Sequence, residues 1–175
     1  TLYGGAGNDV YYADSNGKDS YHDIGGGSDT LHAVEKGKNF TFQVDSDFTK
    51  GSGTGIDVIN GGTTNKTVVI KGSGKNDAVD FDFSNITLEN IDAISGRNAD
   101  DTITGSDGDD KIVGGKGKDS LVAGSGADTL SGGNGDDVLR GGDGAVNLIG
   151  GKGDDTFYAS GNDALIDGGT GTDVL

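Results

Sequence analysis

The chain has 175 residues, 36 of them Gly, and only 31% are hydrophobic, so side-chain surface for an ordinary globular core is scarce. Asp and Glu total 29 against 13 Lys and Arg, and the formal net charge of -16 opposes compaction and disfavours nucleic acid or an anionic membrane as partner. With no Cys there is no disulfide or thiolate metal site, and no apolar run approaches the roughly 18 residues of a membrane span.

In chain order, the first element is a block with a spacing of ten, pairing Asp9 with Tyr11, Asp19 with Tyr21 and Asp29 with Leu31. Residues 38–93 follow, where glycine thins and alternation at Phe40, Phe42 and Val44, and again at Val79, Phe81 and Phe83, predicts strands. Decayed copies of one nine-residue frame run through this stretch. They put Asp57 and Ile59 at its sixth and eighth positions, Lys66 where Asp belongs ahead of Val68, then Asp77 with Val79 and Asp92 with Ile94. The segment reads as the same solenoid with most of its acidic residues lost; an unrelated β insertion is the alternative.

From Gly96 to Tyr158 the frame is unbroken, in seven nonapeptides. Six carry Asp at the sixth position (Asp101, Asp110, Asp119, Asp128, Asp137, Asp155), and Val146 takes the remaining one. The eighth position is always large and apolar: Ile103, Ile112, Leu121, Leu130, Leu139, Leu148 and Phe157. Beyond Tyr158 the phase wobbles through Asp163 and returns at Asp173. Both ends of the chain fall inside repeats, so it is expected to be a piece of a longer array. Its expected divisions are 1–37, 38–95 and 96–175.

Each nonapeptide is a glycine-rich hexapeptide followed by a three-residue tail with an apolar centre. The tail predicts a very short half-buried strand, and the glycines permit the positive φ angles of a tight reversal. Repeats two apart then stack at about 4.8 Å, placing one sixth-position Asp over the next. Carboxylates so close repel one another unless a cation lies between them. An oxygen-only shell of carboxylates and backbone carbonyls suits Ca²⁺ better than Mg²⁺, and zinc would want more than the two histidines, His22 and His32.

These motifs resemble the RTX, or hemolysin-type, calcium-binding repeats, whose consensus is G-G-x-G-x-D followed by x, a large apolar residue and x. The resemblance implies an all-β fold, a right-handed parallel β-roll (a β-solenoid) whose turns bind several Ca²⁺ ions. In that family each ion takes the carbonyls of positions two and four with the Asp of one turn, and the carbonyls of positions one and three with the Asp of the next. Carried over, one row runs through Asp101, Asp119, Asp137, Asp155 and Asp173. It uses carbonyls of Arg97, Ala99, Gly114, Lys116, Gly115, Gly117, Gly132, Asn134, Gly133, Gly135, Gly150, Lys152, Gly151, Gly153, Gly168 and Thr170. On the other side Asp110 and Asp128 hold one ion with Ser106, Gly108, Ala123 and Ser125, while Val146 leaves its neighbouring sites weak or empty. Near the N-terminus Asp9 and Asp29 hold another with Gly5, Gly7, Ile24 and Gly26; Asp19 and Asp163 are further candidates.

Function follows from the same residues. Paired carboxylates such as Asp100 and Asp101 recur in register, whereas a catalytic dyad is needed once, and no nucleophile, zinc or phosphate-loop motif is present, so no enzyme is expected. Fifth- and seventh-position residues are expected to face solvent, and His22 and His32 are expected to be exposed strand residues. The leading expectation is a secreted, extracellular structural module that folds on binding calcium, within a larger polypeptide exported by a type I system. The alternative is an adhesin or carbohydrate-recognition module using residues 38–93, with a surface glycan or host cell as partner.

Overall fold

The computed structural model describes residues 2–3, 7–13, 21–22, 29–33, 40–44, 56–62, 67–72 and 76–175. Every regular element among them is a short strand, and every pairing is parallel. β1 (Leu2–Tyr3) pairs with β3 (Tyr21–His22). A four-stranded sheet joins β2 (Val10–Ala13), β4 (Asp29–Ala33), β6 (Ile56–Asn60) and β9 (Thr87–Glu89).

A seven-stranded sheet runs through β5 (Phe40–Val44), β7 (Val68–Gly72), β10 (Ala93–Asn98), β12 (Lys111–Lys116), β14 (Thr129–Asn134), β16 (Asn147–Lys152) and β18 (Leu165–Thr170). A five-stranded sheet holds β8 (Asp80–Asp82), β11 (Thr102–Thr104), β13 (Ser120–Val122), β15 (Val138–Arg140) and β17 (Thr156–Tyr158). The chain is a parallel β-solenoid, as the repeats imply.

From β10 onward the chain alternates between the long and five-stranded sheets, and one coil takes 18 residues. Ile94, Ile112, Leu130, Leu148 and Ile166 stack in one column, while Ile103, Leu121, Leu139 and Phe157 stack in the other. Apart from Ile166 these eighth-position side chains are at most 4% exposed. The strand pleat sends each eighth-position residue inward and its two neighbours outward. Burial of each contributes about 1.5–3 kcal/mol.

The middle is wound differently from the expectation. From β6 to β11 the chain visits the four-stranded, long and five-stranded sheets in turn, so these coils have three sides. Their repeats are longer: 29 residues separate Asn60 from Glu89, 24 separate Val68 from Asp92, and 22 separate Val79 from Asp101. The extra circumference encloses Phe81 and Phe83, both fully buried with ring centroids 5.8 Å apart, together with Ile86.

The nonapeptide frame is corrected here by two residues. Ile70 pairs with Ile94 and Phe81 with Ile103, so they take the eighth positions, while Val68 and Val79 sit at the sixth. Both valines are buried there. Asp77 is exposed, and Lys66 lies outside the described residues. Ile59 and Ile94 keep the expected eighth-position register, but the ladder shifts by one ahead of Val58, so Asp29 pairs with Ile56 and not with Asp57.

The columns dictate where truncation is felt. Leu121→Ala, which opens a cavity between two stacked neighbours, should destabilise by about 2–5 kcal/mol, whereas the outward-facing Thr102→Ala should stay within about 0.5 kcal/mol, read from urea unfolding midpoints.

Candidate metal centre

Each strand of the five-stranded sheet from β11 to β17 starts directly after a sixth-position aspartate: Asp101, Asp119, Asp137 and Asp155. Their side chains are at most 2% exposed. One oxygen of each is tied to the coil before it. Val79 N donates to Asp101 Oδ1, Asp101 N to Asp119 Oδ1, Asp119 N to Asp137 Oδ1 and Asp137 N to Asp155 Oδ1, all at 2.8 Å, and Asp155 N donates to Asp173 Oδ1 at 3.0 Å. The other oxygen, Oδ2, of Asp101, Asp119, Asp137 and Asp155 is buried without a donor.

The glycines are explained by the same turns. A Cβ at Gly96, Gly114, Gly132, Gly150 or Gly168 would overlap the aspartate carboxylate of its own turn. At positions two and four the backbone is left-handed, with φ of 125° and 124° at Gly115 and Gly117. Those glycines lie against the Arg97 and Ala99 carbonyl oxygens of the previous coil, and the contact repeats for Gly133 and Gly135 over Gly115 and Gly117, and for Gly151 and Gly153 over Gly133 and Gly135. Third-position carbonyls accept backbone bonds: Lys116 O from Ala99 N, Asn134 O from Gly117 N, Lys152 O from Gly135 N and Thr170 O from Gly153 N, at 2.7–2.9 Å. Each such oxygen keeps a second lone pair.

On the opposite edge, Asp128 repeats this arrangement. Its Oδ1 accepts from Asp110 N at 2.8 Å and its Oδ2 is buried without a donor. Gly124 and Gly126 lie against the carbonyls of Ser106 and Gly108, and a Cβ at Gly105 would meet the carbonyl of Ala123. Asp110 itself is different, because Ser106 donates to its Oδ2 from N at 2.6 Å and from Oγ at 2.9 Å. The next turn carries buried Val146. Leu165 pairs with Asn147, so the sixth position above Val146 belongs to Ala164 and Asp163 falls one residue early, its carboxylate accepting from Ser160 N and Oγ.

At the N-terminal end, half-buried Asp9 precedes β2, its carbonyl accepts Thr30 N at 2.9 Å, and Gly7 has φ of 121°. Asp29 begins β4. Gly5, Asp19, Ile24 and Gly26 lie outside the described residues, as does the side chain of His22; His32 stacks on exposed Tyr12 with centroids 5.7 Å apart.

The fifth-position aspartates have a role that sequence reasoning missed. They are exposed, yet each accepts the backbone N–H of the coil after it: Asp100 Oδ1 from Lys118 N, Asp109 Oδ1 from Ala127 N, Asp136 Oδ1 from Asp154 N and Asp154 Oδ1 from Thr172 N. Lys118 also reaches Asp136 Oδ2 at 2.8 Å. The signal was the recurring Asp-Asp pair: in Asp100-Asp101, Asp136-Asp137 and Asp154-Asp155 the sixth-position member reaches back one coil and the fifth-position member reaches forward one.

Among the described residues no three His, Asp or Glu side chains cluster as a metal site, so a cation here would need backbone carbonyls beside its carboxylates. The orphaned Oδ2 atoms supply the test of fit. An ionised oxygen buried without a donor is costly, and a hard cation with oxygen ligands is the group that relieves it. Burial, partly offset by the backbone N–H bond, raises Asp101, Asp119 and Asp128 from 3.8 to about 6, and Asp137 to about 7. Burial also raises Asp110 and Asp155.

The folded chain therefore holds protons that the unfolded chain has lost. This contribution to the stability of the ion-free roll is complete below about 3.8 and vanishes as pH rises through about 6–7. In chelator, urea midpoints should rise as pH falls from 8 to 5, and Asp137→Asn should flatten that dependence. A second expectation concerns Arg97 and Ala99, the non-glycine residues at positions two and four of their turn, with φ of 93° and 99°. Replacing either with Gly relieves strain and should raise stability by about 1 kcal/mol in the same assay.

A family model described as RTX calcium-binding nonapeptide repeat matches in four copies, over residues 1–16, 88–121, 114–146 and 147–175, together more than half the chain. No curated protein sequence is detectably similar to it. With glycine turns that clear the carboxylates, aspartates stacked at the coil repeat and buried oxygens in want of a cation, the chain belongs to the RTX calcium-binding nonapeptide repeat family and is a structural calcium-binding β-solenoid.

Proposed function

We propose that this module folds, or completes its folding, on binding calcium in an extracellular setting after export of a larger polypeptide, for which it acts as a folding scaffold or spacer. The observation that carries the reading is the row of buried Oδ2 atoms at Asp101, Asp119, Asp137 and Asp155. Ionised and without a counter-charge they disfavour the coiled state at neutral pH, so the fold of residues 96–175 depends on what neutralises them.

Asp101 with Asp119, Asp119 with Asp137, Asp137 with Asp155 and Asp155 with Asp173 would each hold Ca²⁺ between successive coils, helped by the turn carbonyls described above. When bound, calcium supplies divalent positive charge and a bridge between neighbouring turns. The chain's own part is to present paired carboxylates, keep water from them and hold the turns open with glycine. Residues 38–95 serve as the metal-poor segment, since Val68 and Val79 replace aspartate in a core of Phe42, Phe81 and Phe83. Burial of those three rings removes them from any aromatic surface that a glycan-binding reading of this segment would use.

Circular dichroism and hydrogen exchange over a calcium titration test the proposal. Residues 96–175 should gain protection with calcium, and a chain equally protected there in excess chelator would overturn it. Asp137→Asn should act with opposite signs, stabilising the ion-free chain at pH 7.5 while raising the calcium midpoint at least several-fold, roughly the loss of one charged ligand.

A further inference from the structure

Five turns outside the N-terminal block join a buried aspartate to an unpartnered Oδ2: those of Asp101, Asp119, Asp128, Asp137 and Asp155. In each, the residues at positions two and four have positive φ. The turn of Asp110 has neither property. Ser106 and Gly108 avoid positive φ, Ser106 is 1% exposed, and its N and Oγ both donate to Asp110 Oδ2 while Gly108 N donates to Ser106 Oγ at 3.1 Å. A related arrangement occurs at Asp163, where Ser160, three residues back, donates from N to Oδ2 and from Oγ to Oδ1 and Asn162 N donates to Ser160 Oγ at 3.4 Å.

We propose that Ser106 is an internal stand-in for the cation, so that the site shared by Asp110 and Asp128 binds calcium more weakly than the Asp101 to Asp173 row and fills after it. The inference rests on the calcium reading given above. Asp128 contributes an open carboxylate oxygen, so the site exists, but Asp110 can offer its Oδ2, the oxygen left open in the other turns, only by giving up two hydrogen bonds. Bringing the turn into the form of the others also moves Ser106 into the left-handed region, which glycine tolerates and serine resists. Val146 removes the next carboxylate on that edge, so nothing beyond Asp128 assists. The module then has two classes of site: a row that answers to low calcium and a lone site that answers to higher calcium.

The test is hydrogen exchange on the full chain over a titration with calcium chloride, following peptides that cover residues 105–110 beside peptides that cover 114–119 and 132–137. The first should become protected at a calcium concentration about tenfold higher than the others, the equivalent of a moderate backbone strain. Ser106→Gly should bring the midpoints together, and Ser106→Ala, which removes Oγ and keeps the preference against positive φ, should shift the late midpoint only part of the way. Coincident midpoints in the unaltered chain, or a late midpoint unmoved by Ser106→Gly, overturn the inference while leaving the calcium-dependent row intact. Absence of any calcium response at 114–119 and 132–137 overturns the calcium reading itself, and the inference with it.

Discussion

The roll turns on one constraint, the stacking of ionisable carboxylates inside tight turns at the spacing of a parallel sheet. Each sixth-position aspartate from Asp101 to Asp155 on the five-stranded side is placed there by the strand that follows it, and its Oδ1 is held by the coil before it. What remains is a column of oxygens that water does not reach. Apolar burial cannot resolve that, because the columns of Ile and Leu lie on the strand centres and the carboxylates at the corners. The need for a cation thus arises from the geometry that makes the coil compact, and glycine is required at the first position because a Cβ there would overlap the carboxylate.

The middle of the chain solves the same corner differently. Val68 and Val79 place methyl groups where the array places carboxylates, and a third side enlarges the coil to enclose Phe81 and Phe83. The two solutions meet at Val79, whose N–H is accepted by Asp101. The array therefore begins on a ladder edge supplied by apolar packing.

Legibility in the sequence followed the same division. From Gly96 onward two residue types recur in phase, and the strands, their facing and the buried aspartates could be read directly. In the middle, Asp77 and Lys66 draw the frame two residues early, because a polar residue marks the corner in the array whereas here the corner is apolar. Register there is set by partners 22 to 29 residues away, and no local pattern carries that distance. Asp163 misled for a related reason: at a shifted turn the corner fell to Ala164. The hydrogen bonds of the fifth-position aspartates were not legible, since an exposed side chain and one tied to a backbone N–H look alike in sequence.

Those fifth-position bonds have a mechanical consequence. Sixth-position carboxylates grip the coil behind and fifth-position carboxylates grip the coil ahead, so the corners of Asp101, Asp137 and Asp155 are stitched in both directions along the axis. Under tension coils act in series, and the load is limited by the poorest corner rather than the average one. Two successive links on one edge are the poorest, Asp128 to Val146 and Val146 to Ala164, because Val146 and Ala164 replace the buried carboxylate and Ala127 and Ala145 stand at the fifth position. A pulled roll should open there first and leave the well-stitched coils on either side still wound.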